Sequence, residues 1–150
     1  YRQARLLEAR KEDLAAIEAN WRMLSNATVP VECAAVVKGD GYGCGLEPVT
    51  RTLSKAGCRT FFVADIPEGR RVRAIAPDTT VYVLNGVIPG TGPALADANL
   101  RPVINSPTEL AEWDANVPPC IVDENVDPPK MTDHASYTFI DRMRVALVKL

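Results

Sequence analysis

One lysine stands between an apolar run and a glycine-rich segment, and this junction is the strongest candidate for chemistry. The run Cys33–Val37 ends in Lys38, and glycines follow at positions 39, 41, 43 and 45 with Tyr42 among them. An amine partly removed from water is a nucleophile toward aldehydes, and glycine lets the backbone come close to a ligand. The hydroxyl of Tyr42 can donate to a phosphate or a carboxylate. The segment therefore predicts a lysine that binds an aldehyde, beside a hydroxyl that donates a hydrogen bond to an anion. The alternative is a lysine that simply extends into solvent after a turn.

The elements that must position Lys38 alternate between short apolar runs and amphipathic helices. A helix is predicted over Glu8–Ser25, and strands over 32–37, 60–64, 80–84, 100–104 and 119–123. Helices predicted over 47–56, 67–75, 93–98 and 106–113 separate these strands. The alternation predicts an α/β fold with a parallel sheet, either doubly wound or closed as a (β/α)8 barrel, with its site at the carboxyl ends of the strands. The glycine segment contains neither G-x-G-x-x-G nor G-K-[ST], which argues against a dinucleotide or nucleoside-triphosphate site.

Composition excludes several other classes of function. The 150 residues suffice for one domain and carry a net charge of −2, so no basic surface is predicted for nucleic acid or an anionic membrane. No apolar run is long enough to span a bilayer, and no signal peptide is recognisable. The four cysteines show no C-x-x-C spacing and His134 is the only histidine, so no metal site is predicted. We expect three buried thiols and one loop thiol, Cys44, in a reducing cytoplasm.

The string AAVVKGDGYGCG around Lys38 closely resembles the pyridoxal-phosphate motif of alanine racemases, A-V-V-K-A-[ND]-A-Y-G-[HL]-G. The resemblance begins before the motif in AAIEANWRML and continues after it, at matching spacing, through LSKAGCRTFFVADIPEGRRVR, VYVLNG and ANLRPVINSPTELAEW. It extends from about Leu14 to Trp113. By this resemblance the chain is identified as an incomplete member of the alanine racemase family.

Membership of this family implies part of a pyridoxal-phosphate-binding (β/α)8 barrel of the TIM type. Lys38 would bind pyridoxal 5′-phosphate as an aldimine and, once released, exchange the α-proton of alanine on one face. Tyr42 would hydrogen-bond the phosphate, and Leu84 would line the cofactor pocket. The implied activity is the interconversion of L-alanine and D-alanine by a cytoplasmic homodimer, as part of D-alanine biosynthesis for the cell wall.

The chain departs from the family pattern in its last third. The family's second base is a tyrosine in a GYADG segment of the C-terminal β domain of the partner subunit, and this string is absent. Of the family's VDTGMNRLG stretch only Val122 and Asp123 are matched. Strands are also predicted over 136–140 and 144–148, and the tail SYTFIDRMRVALVKL that contains them resembles the opening strands of the β domain. We therefore expect residues 1–126 to form a portion of the barrel and residues 127–150 to begin a β-rich second domain, because a complete barrel takes about 250 residues.

Several interpretations stay open at this point. The chain could represent the ordered parts of a longer racemase, or a truncated or degenerate racemase-like fragment without turnover that serves as a binding or dimerisation module. It could also be a single-domain protein that only carries pyridoxal phosphate. The intact mass of the purified protein distinguishes a longer racemase from a fragment.

For four further residues we expect a structural rather than a catalytic role. Asp40 is expected to carry hydrogen bonds of the turn rather than to contact substrate. Glu68 and Arg73 match family positions and are expected to form a weak ion pair on one helix face. Trp21 is expected to lie in the core or at an interface.

Overall fold

The computed structural model describes residues 2–116 and 146–148. Five parallel strands form one sheet in the order β4-β3-β2-β1-β5. The strands are β1 Cys33–Val36, β2 Thr60–Val63, β3 Thr80–Val83, β4 Arg101–Pro102 and β5 Ala146–Val148. The helices are α1 Arg2–Thr28, α2 Leu46–Ala56, α3 Ile66–Ile75, α4 Gly92–Asp97 and α5 Pro107–Asn116. We call the segment Lys38–Tyr42, between β1 and α2, the lysine turn.

The two faces of the sheet carry different apolar clusters, because successive strand residues point to opposite faces. In β1, Cys33 and Ala35 belong to the larger cluster, which also contains the apolar side chains of α2 and α3. Ala34 and Val36 belong to a smaller cluster on the other face. The helix α1 is fixed against β1 by Trp21, whose indole Nε1 donates to the carbonyl oxygen of Cys33 at 3.2 Å. Strand β1 is therefore buried on both sides, as its continuous apolar sequence predicts.

The predicted α/β alternation is confirmed from the first helix to the last described one. The first helix is longer than predicted and begins at Arg2. Strand β4 is shorter than the predicted strand over 100–104 and contains only Arg101 and Pro102. Proline has no N–H to donate to a neighbouring strand, which limits pairing at this position. The predicted strand over 119–123 lies outside the described residues.

Strand β5 falls within the run 144–148 that was predicted to be a strand. It pairs in parallel with β1, with Ala146 opposite Cys33 and Val148 opposite Ala35. A segment expected to begin a second, β-rich domain thus contributes a strand to the same sheet as β1. The boundary between residues 126 and 127 and the predicted strand over 136–140 lie outside the described residues, so the division into two domains stays a prediction.

Three of the four cysteines lie in the described part of the chain, and all three are free thiols. Cys33 and Cys58 are buried and Cys44 is exposed, as the sequence predicts. Burial raises the pKa of the Cys58 thiol from 9.0 to about 12. The predicted burial of Cys120 concerns a residue outside the described range.

Candidate functional site

Lys38 stands at the carboxyl edge of the sheet, directly after the strand that lies between β2 and β5. The preceding residue, Val37, is fully buried and still belongs to the sheet, since its N–H donates to the carbonyl oxygen of Phe62 at 2.8 Å. Lys38 itself is exposed. The change from a buried to an exposed residue within one peptide confirms the predicted position of the lysine at a strand end, where parallel α/β proteins place their chemistry.

The lysine turn is left-handed, a geometry that the spacing of its glycines permits but does not predict. Gly39, Asp40 and Gly41 have φ/ψ angles of 62°/44°, 55°/45° and 64°/39°, and Tyr42 follows with φ 54°. Hydrogen bonds close the turn from the N–H of Gly41 to the carbonyl of Val37 at 2.9 Å and from Gly43 to Gly39 at 3.1 Å. Glycine adopts this conformation freely, but Asp40 and Tyr42 are L residues with side chains and must be held in it by other contacts.

Asp40 supplies part of that support, and its predicted role in the turn is confirmed. Its carboxylate oxygen Oδ1 accepts from the backbone N–H of Leu46 at 3.1 Å, which joins the turn to the start of α2. The same oxygen accepts from Arg71 on α3 at 2.7 Å. Arg71 also bonds the carboxylate of Glu47 at 2.6 Å, and this hydrogen bond lowers the pKa of Glu47. Two helices thus hold the side chain of the residue two positions after Lys38.

The predicted ion pair between Glu68 and Arg73 is wrong, because both side chains bind backbone groups instead. The carboxylate of Glu68 accepts from the N–H of Asp40 at 3.0 Å and from the N–H of Ala64 at 2.9 Å. Arg73 donates to the carbonyl oxygens of Pro77 at 2.8 Å and Thr79 at 2.6 Å. Burial and the nearby charge of Arg101 lower the pKa of Arg73. A surface ion pair contributes little free energy, so these two side chains bind buried or strained backbone groups instead of each other.

Tyr42 and Leu84, the other predicted site residues, also lie at the carboxyl edge. Tyr42 ends the lysine turn with 42% of its surface exposed. Leu84 follows β3 immediately, and its N–H donates to the carbonyl of Val63 at 2.9 Å. Its half-buried side chain packs on the smaller apolar cluster that contains Val36. The structure brings Lys38 and Tyr42 onto one turn and places Leu84 at the same edge, two strands away.

Sequence reasoning missed an aromatic pair on the same face of the sheet as Leu84. Phe62 of β2 and Tyr82 of β3 stack with ring centroids 5.0 Å apart. The guanidinium of Arg101 lies 6.0 Å from the centre of the Tyr82 ring. These residues all lie in predicted strands, where every second residue points to the same face. Sorting the strand residues by this alternation could have placed them on one face.

The remaining features of the described residues do not point to a second chemistry. A polar cavity of about 240 Å³ lies near the beginnings of β3 and β4, lined by Thr80 and Arg101 among others, at the edge opposite Lys38. Within residues 2–116 and 146–148 no cluster of acidic, histidine or cysteine side chains could hold a metal ion. No helix of this part of the chain has the length and hydropathy to cross a membrane.

Comparisons with known proteins identify the family. The family described as "Alanine racemase, N-terminal domain" matches residues 13–120. The chain is 52% identical over 101 residues to the alanine racemase of Methylobacterium nodulans, and 47% identical over 104 residues to the catabolic alanine racemase of Rhizobium johnstonii. These matches cover 67% and 69% of this chain but only 27% and 28% of the two relatives.

Solved structures agree with the sequence relatives. The alanine racemase of Bartonella henselae, crystallised with covalently bound pyridoxal phosphate, superposes with a TM-score of 0.66 at 37% identity, over 68% of this chain and 29% of that one. The alanine racemase of E. faecalis superposes with a TM-score of 0.65 at 23% identity, which supports the fold. The predicted fold class is confirmed: the described residues form part of a barrel domain. The chain belongs to the alanine racemase family and contains a portion of its N-terminal domain.

Proposed function

We propose that this chain carries the cofactor-binding lysine of a pyridoxal-phosphate-dependent alanine racemase. The observation that carries the proposal is the position of Lys38: an exposed amine at the carboxyl end of β1, followed at once by a turn of fixed geometry. Family membership supports it, and so does the relative from Bartonella henselae, whose structure contains covalently bound pyridoxal phosphate. The substrate proposed is alanine, after the names of the relatives.

The residues present fit this cofactor chemically. Lys38 offers a primary amine that can condense with an aldehyde, with loss of one water molecule. Tyr42 offers an exposed phenolic hydroxyl that can donate to the phosphate. Leu84, with the apolar cluster beneath it, offers a surface for the ring. A Cβ built on Gly39 or Gly43 would meet no atom within 4 Å, so there is open space beside the lysine turn.

In the proposed reaction, Lys38 has two tasks. Its Nζ atom would hold the cofactor, and the same amine, when it is not bound to the cofactor, would remove or return the α-proton on one face of alanine. The cofactor, when bound, would supply the electron sink that makes this proton acidic. Inversion requires a second base on the opposite face. We propose that this base comes from a partner subunit, which makes the active form a homodimer.

The proposed compartment is the cytoplasm. Free thiols at Cys33, Cys44 and Cys58 support it, because cysteines stay reduced there. Among these, Cys44 is exposed and only two residues beyond Tyr42. An oxidising compartment would leave this thiol open to disulfide exchange beside the site.

The proposal is tested by trapping the cofactor on its lysine. The purified protein is incubated with pyridoxal 5′-phosphate, reduced with borohydride and digested, and the peptides are analysed by mass spectrometry. We expect a phosphopyridoxyl adduct on Lys38 and none on Lys55, an exposed lysine of α2 that serves as the internal control. The variant Lys38→Arg keeps the positive charge but should lose the adduct. Equal labelling of both lysines would refute the proposed cofactor site.

A second candidate, a racemase-like fragment that binds the cofactor without turnover, is favoured by the short coverage of 27% of the Methylobacterium nodulans relative. The chain spans less than a third of that relative's length. The two candidates differ in a racemisation assay, in which D-alanine is measured after incubation of the protein with L-alanine and pyridoxal phosphate. Formation of D-alanine, lost in Lys38→Arg, supports the racemase. An adduct on Lys38 without D-alanine supports the carrier or fragment.

A further inference from the structure

Glu68 occupies the third position of α3, where a carboxylate usually closes the start of its own helix. Asp65 caps this helix, since its Oδ1 accepts from the N–H of Glu68 at 3.0 Å. In the reciprocal half of such a cap, the glutamate bonds a backbone N–H just before the helix. Oε2 of Glu68 does so with Ala64 at 2.9 Å, at the end of β2. Helix capping alone explains this hydrogen bond between Glu68 and Ala64.

The other oxygen of Glu68 leaves its own helix and reaches the lysine turn. Oε1 accepts from the backbone N–H of Asp40 at 3.0 Å. Asp40 is the non-glycine residue at the centre of the left-handed segment, with φ 55°. An L residue in this conformation is disfavoured by contacts between its Cβ and the backbone, so the conformation persists only when neighbouring groups hold it. The carboxylate therefore ties the end of β2 to the peptide that follows Gly39.

We infer that Glu68 is a positioning residue that fixes the direction in which the lysine turn presents Lys38. The inference rests on the proposed function, because the direction of Lys38 matters only if its amine binds the cofactor. Only one residue, Gly39, separates Lys38 from the peptide that Glu68 holds. If that peptide is released, Gly39 is restrained only by the remaining hydrogen bonds of the turn, and Lys38 samples more directions. A charge-assisted hydrogen bond is strong enough to restrain such a rotation.

The βα unit formed by β4 and α5 contains a matched control. Glu109 occupies the third position of α5, accepts from the N–H of Asn105 at 3.0 Å, and its own N–H donates to Ser106 at 3.2 Å. Its carboxylate therefore closes a helix start in the same way as Glu68. It lies against Gly86, in the loop after β3, and not against the lysine turn. Loss of a helix cap is common to substitutions at both glutamates, whereas contact with the lysine turn belongs to Glu68.

The test compares Glu68→Gln with Glu109→Gln. A glutamine has one acceptor oxygen and one donor nitrogen, so it cannot accept from both N–H groups that the Glu68 carboxylate binds. We measure the dissociation constant of pyridoxal 5′-phosphate from the absorbance of the lysine-bound cofactor, and the share of borohydride-trapped adduct on Lys38. Glu68→Gln should weaken binding roughly tenfold, as expected for one lost hydrogen bond to a charged group, and shift adduct toward other lysines. Glu109→Gln should leave both values unchanged.

Thermal unfolding and amide exchange separate positioning from loss of structure. Both variants should remain folded at the temperature of the binding assay, while only Glu68→Gln should speed hydrogen exchange at the N–H of Asp40. If Glu68→Gln does not fold, Glu68→Asp keeps a carboxylate in the first turn of α3 with a shorter reach, and should weaken binding in the same direction.

The outcomes distinguish this inference from the proposed function. Binding and adduct share equal to those of the unsubstituted protein in the folded Glu68 variant would overturn the positioning role alone. Equal losses in Glu68→Gln and Glu109→Gln would also overturn it, since the effect would then come from helix capping. An absence of adduct in the unsubstituted protein would overturn the proposed function and, with it, the role of Glu68.

Discussion

Replacing Gly86 with alanine should destabilise the protein much more than the same replacement at Gly90, although both glycines lie in the loop after β3. Both have positive φ angles, 71° for Gly86 and 79° for Gly90. A Cβ at Gly90 would meet no atom within 4 Å. A Cβ at Gly86 would overlap Oε2 of Glu109 and lie 2.7 Å from its Cδ. Comparing the two alanine variants therefore separates the stability lost to backbone conformation from the stability lost when the carboxylate is displaced.

The two contributions can be assigned magnitudes. A left-handed conformation costs an alanine about 1–2 kcal/mol relative to glycine, and this is the whole expected loss at Gly90. At Gly86 the Glu109 carboxylate must also move, which breaks its 3.0 Å hydrogen bond with the N–H of Asn105. Loss of a hydrogen bond to a charged group adds about 1.5–3 kcal/mol. We therefore expect Gly86→Ala to lower the free energy of unfolding by about 3 kcal/mol or more.

Urea unfolding followed by circular dichroism measures both losses, provided that the denaturant dependence stays constant between variants. The double variant Gly86→Ala/Glu109→Ala provides the control. With the carboxylate removed, the added alanine at Gly86 should cost no more than at Gly90, so the two substitutions should be coupled by about 2 kcal/mol. Equal losses for the two single alanine variants, or independent effects in the double variant, would refute the role assigned to the Glu109 carboxylate.

Three further predictions concern other contacts. Thr50 is fully buried, and its hydroxyl has no hydrogen-bond partner among the described residues, so Thr50→Val should raise the free energy of unfolding by about 1 kcal/mol; a decrease in that free energy would show that the hydroxyl is satisfied. Burial raises the pKa of Cys58 to about 12, so iodoacetamide should label the exposed Cys44 in the native protein and Cys58 only after unfolding; similar labelling rates would contradict this. Arg71 lowers the pKa of Glu47 from 4.5, so their pairing stabilises the fold above that pH, and the stabilisation is lost as the pH falls through the lowered value. The difference in unfolding midpoint between the unsubstituted protein and Arg71→Ala should therefore narrow in acid, and a difference independent of pH would contradict the pairing.

The sheet could be predicted from the sequence because its signals are local. The runs around β1, β2 and β3 are continuously apolar, and the structure buries β1 and β2 on both faces. Helix α3 begins at Ile66 because Asp65 caps it and Pro67 suits its first turn. The position of Lys38 at a strand end follows directly from these boundaries.

The handedness of the lysine turn and the role of Glu68 could not be predicted in this way. Glycine permits a left-handed conformation but does not require one, so the spacing of Gly39 and Gly41 leaves the geometry open. The bond from Asp40 to Glu68 joins residues on different elements, 28 positions apart. The sequence shows Asp65 and Glu68 only as a pattern typical of a helix start. That pattern predicts the hydrogen bond of Oε2 with Ala64 but not the hydrogen bond of Oε1 with Asp40.

Strand β5 also has an effect on the order in which the chain folds. Its pairing with β1 brings Ala146 beside Cys33, although the two residues are far apart in the sequence. The pairs among β1, β2, β3 and β4 close over single βα units, whereas this pair must close over most of the chain, and loop-closure entropy and folding time both grow with such separation. Local βα units should therefore assemble first and β5 last. Until β5 docks, the outer edge of β1 presents unpaired N–H and C=O groups, so nascent chains are prone to edge-to-edge association at the strand that precedes Lys38.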